Sequence, residues 1–442
     1  MRAVAGSGNG VDVIEALAGT GKTYTAGVLR ELYTAAGYPV IGVAPSARAG
    51  RERAEQAGIP ARTLDSRLLA IANVHALPER SVVIFDEAAM ASTRQTERLL
   101  AHAAAVGAKV VAIGDPGQLP SVQAGGWLRA VGDRLGAVRL TEVMRQRDAA
   151  ERFALAGLHD GEPQRWLDWA VPAGRVEVLP DGPAVFERAV AEWAGGVQTH
   201  GLEQSVLIAR DNATRRALNR VARAQRRDAG ALGEDHVYGT VTVAVGDRVI
   251  CRSNERDLDV DNGTRGIVRH ADRGGVVLET DAHTKRQLPA SYVAEHVEHA
   301  YALTGHGMQG GTVERATVVA SVGELTRGWS YTALSRARGE TRLLVRDAPP
   351  AVGEREDVAP YGPAGPLEPD AVLARVARRM LERDDEDLAF DQLPVSGRAD
   401  DPQLGEHPEP DLESAQENIA ERAEPVGQSA ARTPLAELRE RL

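Results

Sequence analysis

Short apolar runs, each broken by a polar or glycine-rich turn, recur through residues 1–150. Val11-Asp12-Val13-Ile14-Glu15, Val40-Ile41-Gly42-Val43-Ala44, Val82-Val83-Ile84-Phe85-Asp86 and Lys109 to Ile113 read as strands, and Thr23 to Ala36 as a helix. Strands alternating with helices predict parallel βαβ units in a doubly wound α/β sheet. Ligands of such sheets bind beyond the carboxyl ends of the strands, where three of these four runs meet polar motifs. Residues 151–204 read as a helical connection with three tryptophans. A second α/β segment follows over 205–239, with a strand at Ser205 to Ala209 and a helix at Asn212 to Ala229. Residues 240–300 turn to short Val, Gly and Thr-rich strands and predict a small β-barrel, with Asn262-Gly263 as a hairpin signal. The α/β pattern returns over 301–347. From Pro349 the chain is rich in Pro, Gly, Asp and Glu, so 348–442 reads as a mostly disordered acidic tail with one short helix at Ala371 to Leu381.

Composition adjusts this picture in three places. The net charge of −11 looks unfavourable for a nucleic-acid partner. However, residues 351–442 hold 22 acidic and 10 basic side chains, so residues 1–350 carry 41 acidic against 42 basic and can form a local basic groove. The single cysteine, Cys251, excludes an internal disulfide and a multi-thiolate zinc site. No apolar run reaches the roughly 18 residues of a membrane span, and no signal pattern opens the chain, so the expected location is the cytoplasm.

Candidate chemistry begins at Ala16-Leu17-Ala18-Gly19-Thr20-Gly21-Lys22-Thr23, between a strand and a helix. Gly19 and Gly21 let backbone amides approach phosphate oxygens, with Ala18 and Thr20 beside them, and the helix N-terminus adds a fixed positive dipole. Lys22 supplies a mobile charge for the β- and γ-phosphates, and the Thr23 hydroxyl a ligand for Mg²⁺. It is one of only three lysines in the chain. Four apolar residues then deliver Asp86 and Glu87 to the sheet edge. Asp86 is expected to hold Mg²⁺ and Glu87 to polarise the attacking water. A third strand ends in Gly114-Asp115-Pro116-Gly117-Gln118-Leu119-Pro120-Ser121-Val122, where the neutral Gln118 amide can sense a γ-phosphate. ATP with Mg²⁺ is therefore the expected cofactor pair.

Together these segments resemble superfamily 1 helicases of the RecD-like branch (superfamily 1B), most nearly the helicase portion of MobF-type conjugative relaxases, over about residues 1–345. Ala at position 16, where the strict phosphate-loop pattern has Gly, is common in that superfamily. The likeness implies two RecA-like domains with parallel sheets, the second interrupted by an SH3-like β-barrel insertion at 240–300. It makes Gln118 the γ-phosphate sensor. Leu140-Thr141-Glu142-Val143-Met144-Arg145-Gln146 resembles the motif whose arginine, here Arg145, faces the γ-phosphate. Tyr331-Thr332-Ala333-Leu334-Ser335-Arg336 resembles the arginine-finger motif, with Arg336 as the finger. Thr304-Gly305-His306-Gly307-Met308-Gln309-Gly310 resembles Thr-x-His-x-x-Gln-Gly, which assigns Gln309 and Gly310 to the nucleotide and Thr304 and His306 to DNA. Pro45, Ser46 and Thr63 fall in segments that touch single-stranded DNA in the family.

The implied function is an ATP-dependent helicase or translocase on single-stranded DNA, moving 5′ to 3′ and serving conjugative transfer or repair. A separate relaxase or repair protein is an expected partner. A second reading is a truncated, helicase-derived ATP-binding and DNA-binding assembly protein. It is motivated by a start only 15 residues before the loop, by the lack of a nicking domain and by little room for a strand-separating pin. An unrelated enzyme such as a nucleotide kinase fails on Gln118, Arg145, Gln309 and Arg336 all falling at helicase spacings. Trp127, Trp166, Trp169, Trp193, Trp329, Tyr238, Tyr292 and Tyr301 are candidates for base stacking, most of them expected in the core. Deleting residues 355–442 is expected to leave hydrolysis nearly unchanged.

Overall fold

The computed structural model describes residues 2–45, 57–73, 77–121, 123–180, 182–347 and 368–383. These residues fall within one compact unit, Met1–Val395. Helix α1 (Arg2–Ala5) leads to strand β1 (Val11–Ala16), helix α2 (Lys22–Ala35) and β2 (Val40–Ala44). Strand β3 (Ala61–Thr63), α3 (Leu64–Ala72), β4 (Val82–Phe85), α4 (Thr93–Ala105), β5 (Lys109–Gly114), α5 (Trp127–Leu135) and β6 (Ala137–Leu140) complete the first lobe. Its six strands run parallel in the order β3-β2-β4-β5-β1-β6.

Alternation along each strand divides the core between the two faces of the sheet. Val13, Val83, Phe85, Val110 and Ala112 face α3, α4 and α5, against Leu68, Leu99 and Leu128. Ile14, Ala16, Ile84, Val111 and Ile113 face α2, against Ala26, Leu29 and Tyr33. Helix α4 starts on a Ser92–Gln95 capping box, and Phe85 stacks on Trp127 at 5.9 Å. The registers Glu15↔Gly114, Glu15↔Arg139 and Phe85↔Ala112 align the carboxyl ends of β1, β4, β5 and β6. Every polar motif of this lobe leaves the sheet along that one edge.

The second lobe contains α6 (Ala149–Asp160), α7 (Pro163–Ala170), β7 (Val176–Pro180), α8 (Pro183–His200), β8 (Ser205–Ala209) and α9 (Asn212–Asp228). Strands β9 (Asp235–Tyr238), β10 (Val241–Ala244), β11 (Arg248–Cys251), β12 (Arg265–Asp272), β13 (Gly275–Thr280) and β14 (Lys285–Pro289) follow, then α10 (Ala290–His296) and β15 (Val297–His299). They form a β9–β10 hairpin and an antiparallel sheet of order β14-β13-β12-β11-β15 with its own core around Val249, Cys251, Val268 and Leu278. The chain returns through β16 (Ala302–Thr304), α11 (Gly305–Met308), β17 (Val313–Ser321), α12 (Arg327–Leu334) and β18 (Ala337–Asp347), and α13 (Pro369–Arg379) comes last. The second parallel sheet has the order β16-β8-β17-β18-β7. Among the described residues no helix is long and apolar enough to cross a membrane.

Three expectations change. Residues 151–204 are not merely a helical connection: Val176 and Val178 sit in β7, paired with β18, while Val185 and Trp193 of α8 pack on the sheet. The pairing partner lies some 160 residues downstream in sequence, so the short run carries no local strand signal. Asn262 and Gly263 occupy the middle of a turn closed by Thr264 N–H on Asp261 O, inside the long excursion between β11 and β12. Two-residue connections fall instead at Gly239-Thr240 and Arg273-Gly274. Finally, α13 is structural. Val372, Val376 and Met380 are at most 2% exposed and lie in the core of the second lobe with Trp166 and Val345.

The segment 355–442, whose deletion is expected to leave hydrolysis nearly unchanged, therefore includes a helix of the folded core. Two truncations test this role in urea unfolding, one ending at Arg383 and one ending before Pro369. A chain ending before Pro369 should lose at least roughly 3 kcal/mol, because each buried side chain of α13 is worth about 1.5–3 kcal/mol. Equal midpoints for the two truncations would refute this role of α13.

Candidate active site

The loop after β1 turns through two left-handed residues, Gly19 (φ 86°) and Gly21 (φ 83°). A Cβ on Gly19 would lie 2.5 Å from Cβ of Arg145, so glycine is required here for backbone conformation and for the closeness of that arginine. The Gly19 carbonyl accepts from Met144 N–H at 2.8 Å. Gly21 caps α2 and no side chain caps the helix, which leaves its first-turn amides to an anion. Lys22 is 9% exposed and its Nζ lies 3.9 Å from Glu87 Oε2.

Glu87 follows β4 in a left-handed conformation (φ 49°), a strained choice for a residue with a Cβ, and is 4% exposed. Its N–H donates to Asp86 Oδ1 at 2.9 Å. Thr23 and Asp86 are the polar residues on the rim of a small, otherwise apolar cavity between α2 and the sheet. Their hydroxyl and carboxylate are the hard oxygen donors that Mg²⁺ takes. The uncapped amides, Lys22 and this oxygen pair fit a magnesium nucleotide.

Asp115, at the end of β5, is fully buried. Oδ1 accepts from Gly117 N–H at 3.1 Å, and Oδ2 accepts from Gln118 Nε2 at 3.0 Å and from the Tyr331 hydroxyl at 3.2 Å. His159 Nε2 approaches Oδ1 at 3.2 Å, a contact of charges rather than an aligned hydrogen bond. Burial pushes the carboxyl up, but His159, the Lys22 charge and the Gln118 amide outweigh it and hold it at about 2. The His159 imidazole is lowered by burial and raised more strongly by Asp115 and Asp160, with a net rise.

The second lobe meets these groups through α12 and the turn after it. The Tyr331 hydroxyl accepts from Ala18 N–H at 3.0 Å, and Thr332 Oγ1 accepts from Leu119 N–H at 3.0 Å. Arg336, fully buried, donates to Thr332 O at 2.6 Å and Ser335 Oγ at 2.9 Å, with a longer contact of 3.5 Å to Gln118 Oε1. Arg145 and Gln146 both donate to Ser335 O, at 2.8 and 3.1 Å. Gly19, Gln118, Arg145 and Arg336 thus meet at one seam, and Ala18 and Leu119 belong to the apolar core of the opposite lobe.

Other expected residues lie apart. Thr63 ends β3 and accepts from Ser66 N–H at 3.1 Å; Thr304 ends β16 and accepts from Gly307 N–H at 3.1 Å. His306 is exposed, Pro45 is half-buried, and Ser46 lies outside the described residues. Gln309 is buried with neither amide atom hydrogen-bonded among the described residues, beside Gly310 in a left-handed turn (φ 81°). Trp127, Trp166, Trp193, Trp329, Tyr238, Tyr292 and Tyr301 are all buried, and Trp169 packs against the core, so none is presented for stacking. Asp115 and Tyr331 stand inside recognised motifs without an assigned role, whereas His159, on an amphipathic helix, carries no sequence signal at all.

A family described as an AAA domain matches residues 1–181. The chain is 32% identical over 328 residues to a probable conjugal transfer protein TraA of Sinorhizobium fredii, covering 73% of this chain and 30% of the relative. It is 31% identical over 348 residues to an ATP-dependent RecD2 DNA helicase of Deinococcus radiodurans, covering 72% of this chain and 45% of that protein. The chain therefore spans about a third to a half of these relatives' length. The crystal structure of Pif1 helicase from Candida albicans shares the fold, with a TM-score of 0.50, 18% identity and coverage of 77% of this chain and 91% of that one.

Asp115 predicts a pH signature. Its folded value of about 2 lies below the unfolded 3.8, so its stabilisation is complete above the unfolded value and is lost as pH falls through the folded one. Asp115→Asn should cost roughly 2 kcal/mol in urea unfolding at pH 7. The gap from wild type should close as pH falls from about 4 to about 2. A gap independent of pH over that window would remove the charge argument.

Proposed function

We propose that this chain, a RecD-like superfamily 1B helicase homologue related to TraA, hydrolyses ATP at the seam between its lobes and uses the cycle to move along single-stranded DNA. The observation that carries the reading is the convergence of Gly19, Gln118, Arg145 and Arg336 from two lobes on one seam. In this reading the amides of Gly19 to Thr23 and the Lys22 ammonium bind the β- and γ-phosphates. Thr23 and Asp86 would hold Mg²⁺, which supplies charge neutralisation of the phosphates. Glu87 orients and deprotonates the attacking water, and its strained backbone and burial suit a group fixed for that task. Gln118 reads the γ-phosphate, while Arg145 and Arg336 stabilise the charge that develops on it. Gln309 and Gly310 complete the nucleotide contacts; an amide buried without partners is costly by about 1–3 kcal/mol unless a ligand or water satisfies it.

DNA would cross the carboxyl edges of both sheets. Thr63 and Thr304 favour this path, because each stands at the carboxyl end of an edge strand, one in each lobe's sheet. Pro45, Ser46 and His306 belong to the same proposed contact set. The β module proposed as SH3-like over 240–300 is tied to this region through Arg265, whose Nη1 lies 3.2 Å from Met308 Sδ. The likeness to a conjugal transfer protein and to a DNA helicase supports work in conjugative transfer or repair. Movement 5′ to 3′, a cytoplasmic setting and a relaxase or repair protein as partner complete the proposal on the motif resemblance alone.

ATP turnover measured with and without single-stranded DNA tests the reading. DNA should stimulate hydrolysis severalfold, and Glu87→Gln should lower turnover about a hundredfold or more while ATP still binds. Turnover indifferent to DNA would defeat the motor, and full activity in Glu87→Gln would defeat the assigned base.

A further inference from the structure

The seam contains a group that the hydrolytic roles leave unused. His159 lies on α6, whose Ala154, Leu155 and Leu158 are built into the core of the second lobe, yet its ring rests on the sensor loop of the first. Gly117 makes the fit possible: a Cβ there would lie 2.4 Å from the His159 ring. The same ring stands edge-on to Tyr331 at 5.1 Å. Two residues of the second lobe, His159 and Tyr331, therefore enclose one carboxylate of the first. We propose that they are positioning residues for the γ-phosphate sensor, clamping Asp115 and through it fixing the Gln118 amide, so that movement of the second lobe reaches the sensor through one buried carboxylate. This deepens the ATPase reading and rests on it.

The physical step is the orientation of an amide. An ionised carboxylate only accepts and a guanidinium only donates. Asp115 Oδ2 takes Gln118 Nε2 at 3.0 Å, and Arg336 Nη2 faces Gln118 Oε1 at 3.5 Å. Between them one flip state of the amide is selected, and the second N–H of Nε2 stays available for a phosphate oxygen. Without its clamp, Asp115 would be a buried charge short of partners, which either draws in water or takes up a proton. A protonated Asp115 offers a donor to the amide, and the selection is lost. Opening of the lobes withdraws His159 and the Tyr331 hydroxyl together, because both ride on the second lobe.

The groups that face His159 are Asp115 and, on its other nitrogen, Asp160 at 3.0 Å. From α12, the Tyr331 ring packs against it and the Arg327 guanidinium donates to its backbone carbonyl at 2.5 and 3.2 Å. Glu15, Arg129, Arg139 and Arg383 share the cavity of about 500 Å³ that borders it.

Two measurements on the full chain test the clamp, the first independent of hydrolysis. In nucleotide-free protein the His159 imidazole, followed by NMR, should titrate above 6.5, and in Asp115→Asn it should fall below its wild-type value. Titration at or below 6.5 in wild type overturns the clamp, whether or not the chain hydrolyses ATP. In steady-state assays with single-stranded DNA, Tyr331→Phe and His159→Phe keep the aromatic packing and remove the polar contacts. Each should lower kcat about ten- to a hundredfold with KM for ATP changed less than about threefold, the scale of a misplaced catalytic group. His159→Gln, which keeps a donor near Asp115, should recover part of the loss. Wild-type kcat in both phenylalanine variants overturns the positioning role, as does a loss confined to KM. Absence of ATP turnover in wild type would instead sink the ATPase reading, and the titration would still decide the clamp.

Discussion

A carboxylate removed from water must be compensated by charges and donors that reach it, and the cost of leaving it bare is several kcal/mol. Asp115 is such a group, and its compensation is split between the halves of the molecule. Gly117 and Gln118 come from its own loop, His159 and Tyr331 from the other lobe. The same Tyr331 hydroxyl is satisfied by the phosphate-loop amide of Ala18. The arrangement of the two lobes, the orientation of the sensor amide and the contact of α12 with the phosphate loop are thus one electrostatic condition. Apolar burial of Ala18 and Leu119 in the opposite lobe reinforces it without setting its direction.

Much of the site was legible in the chain because its parts are local. A strand that ends in a glycine-rich turn and opens a helix states its chemistry within eight residues, as does a buried run closing on Asp86-Glu87. These segments all leave the carboxyl edge of the first sheet, the edge proposed to face the nucleotide, and the registers of β1, β4 and β5 align them. The strands at Val40–Ala44 and Ser205–Ala209 were equally plain, since both are apolar runs of strand length flanked by turns.

What stayed hidden depends on long-range pairing. Strand β7 is defined by β18, and His159 matters only because Gly117 leaves space for its ring. The aromatic residues were mostly expected in the core and are used so: Trp166, Trp193, Trp329 and Tyr301 in the second lobe, Trp127 in the first, Tyr238 and Tyr292 in the antiparallel module. The helix α13 was legible at Ala371 to Leu381, but its place in the core was not, because the acidic average of 351–442 masks three apolar positions at helical spacing, Val372, Val376 and Met380.

The strand order β16-β8-β17-β18-β7 has a consequence for synthesis. The first lobe is contiguous and can fold as soon as β6 has left the ribosome. The second cannot: β7 waits for β18, and the hydrophobic face beneath both waits for α13, some 200 residues after β7. Loop-closure entropy makes such distant pairings slow. During that interval the nascent chain carries a glycine-rich loop whose Ala18 N–H still lacks the Tyr331 hydroxyl and whose apolar flank, Ala18 and Leu119, is open to solvent. The first lobe thus spends longest exposed at the very face that the second lobe covers.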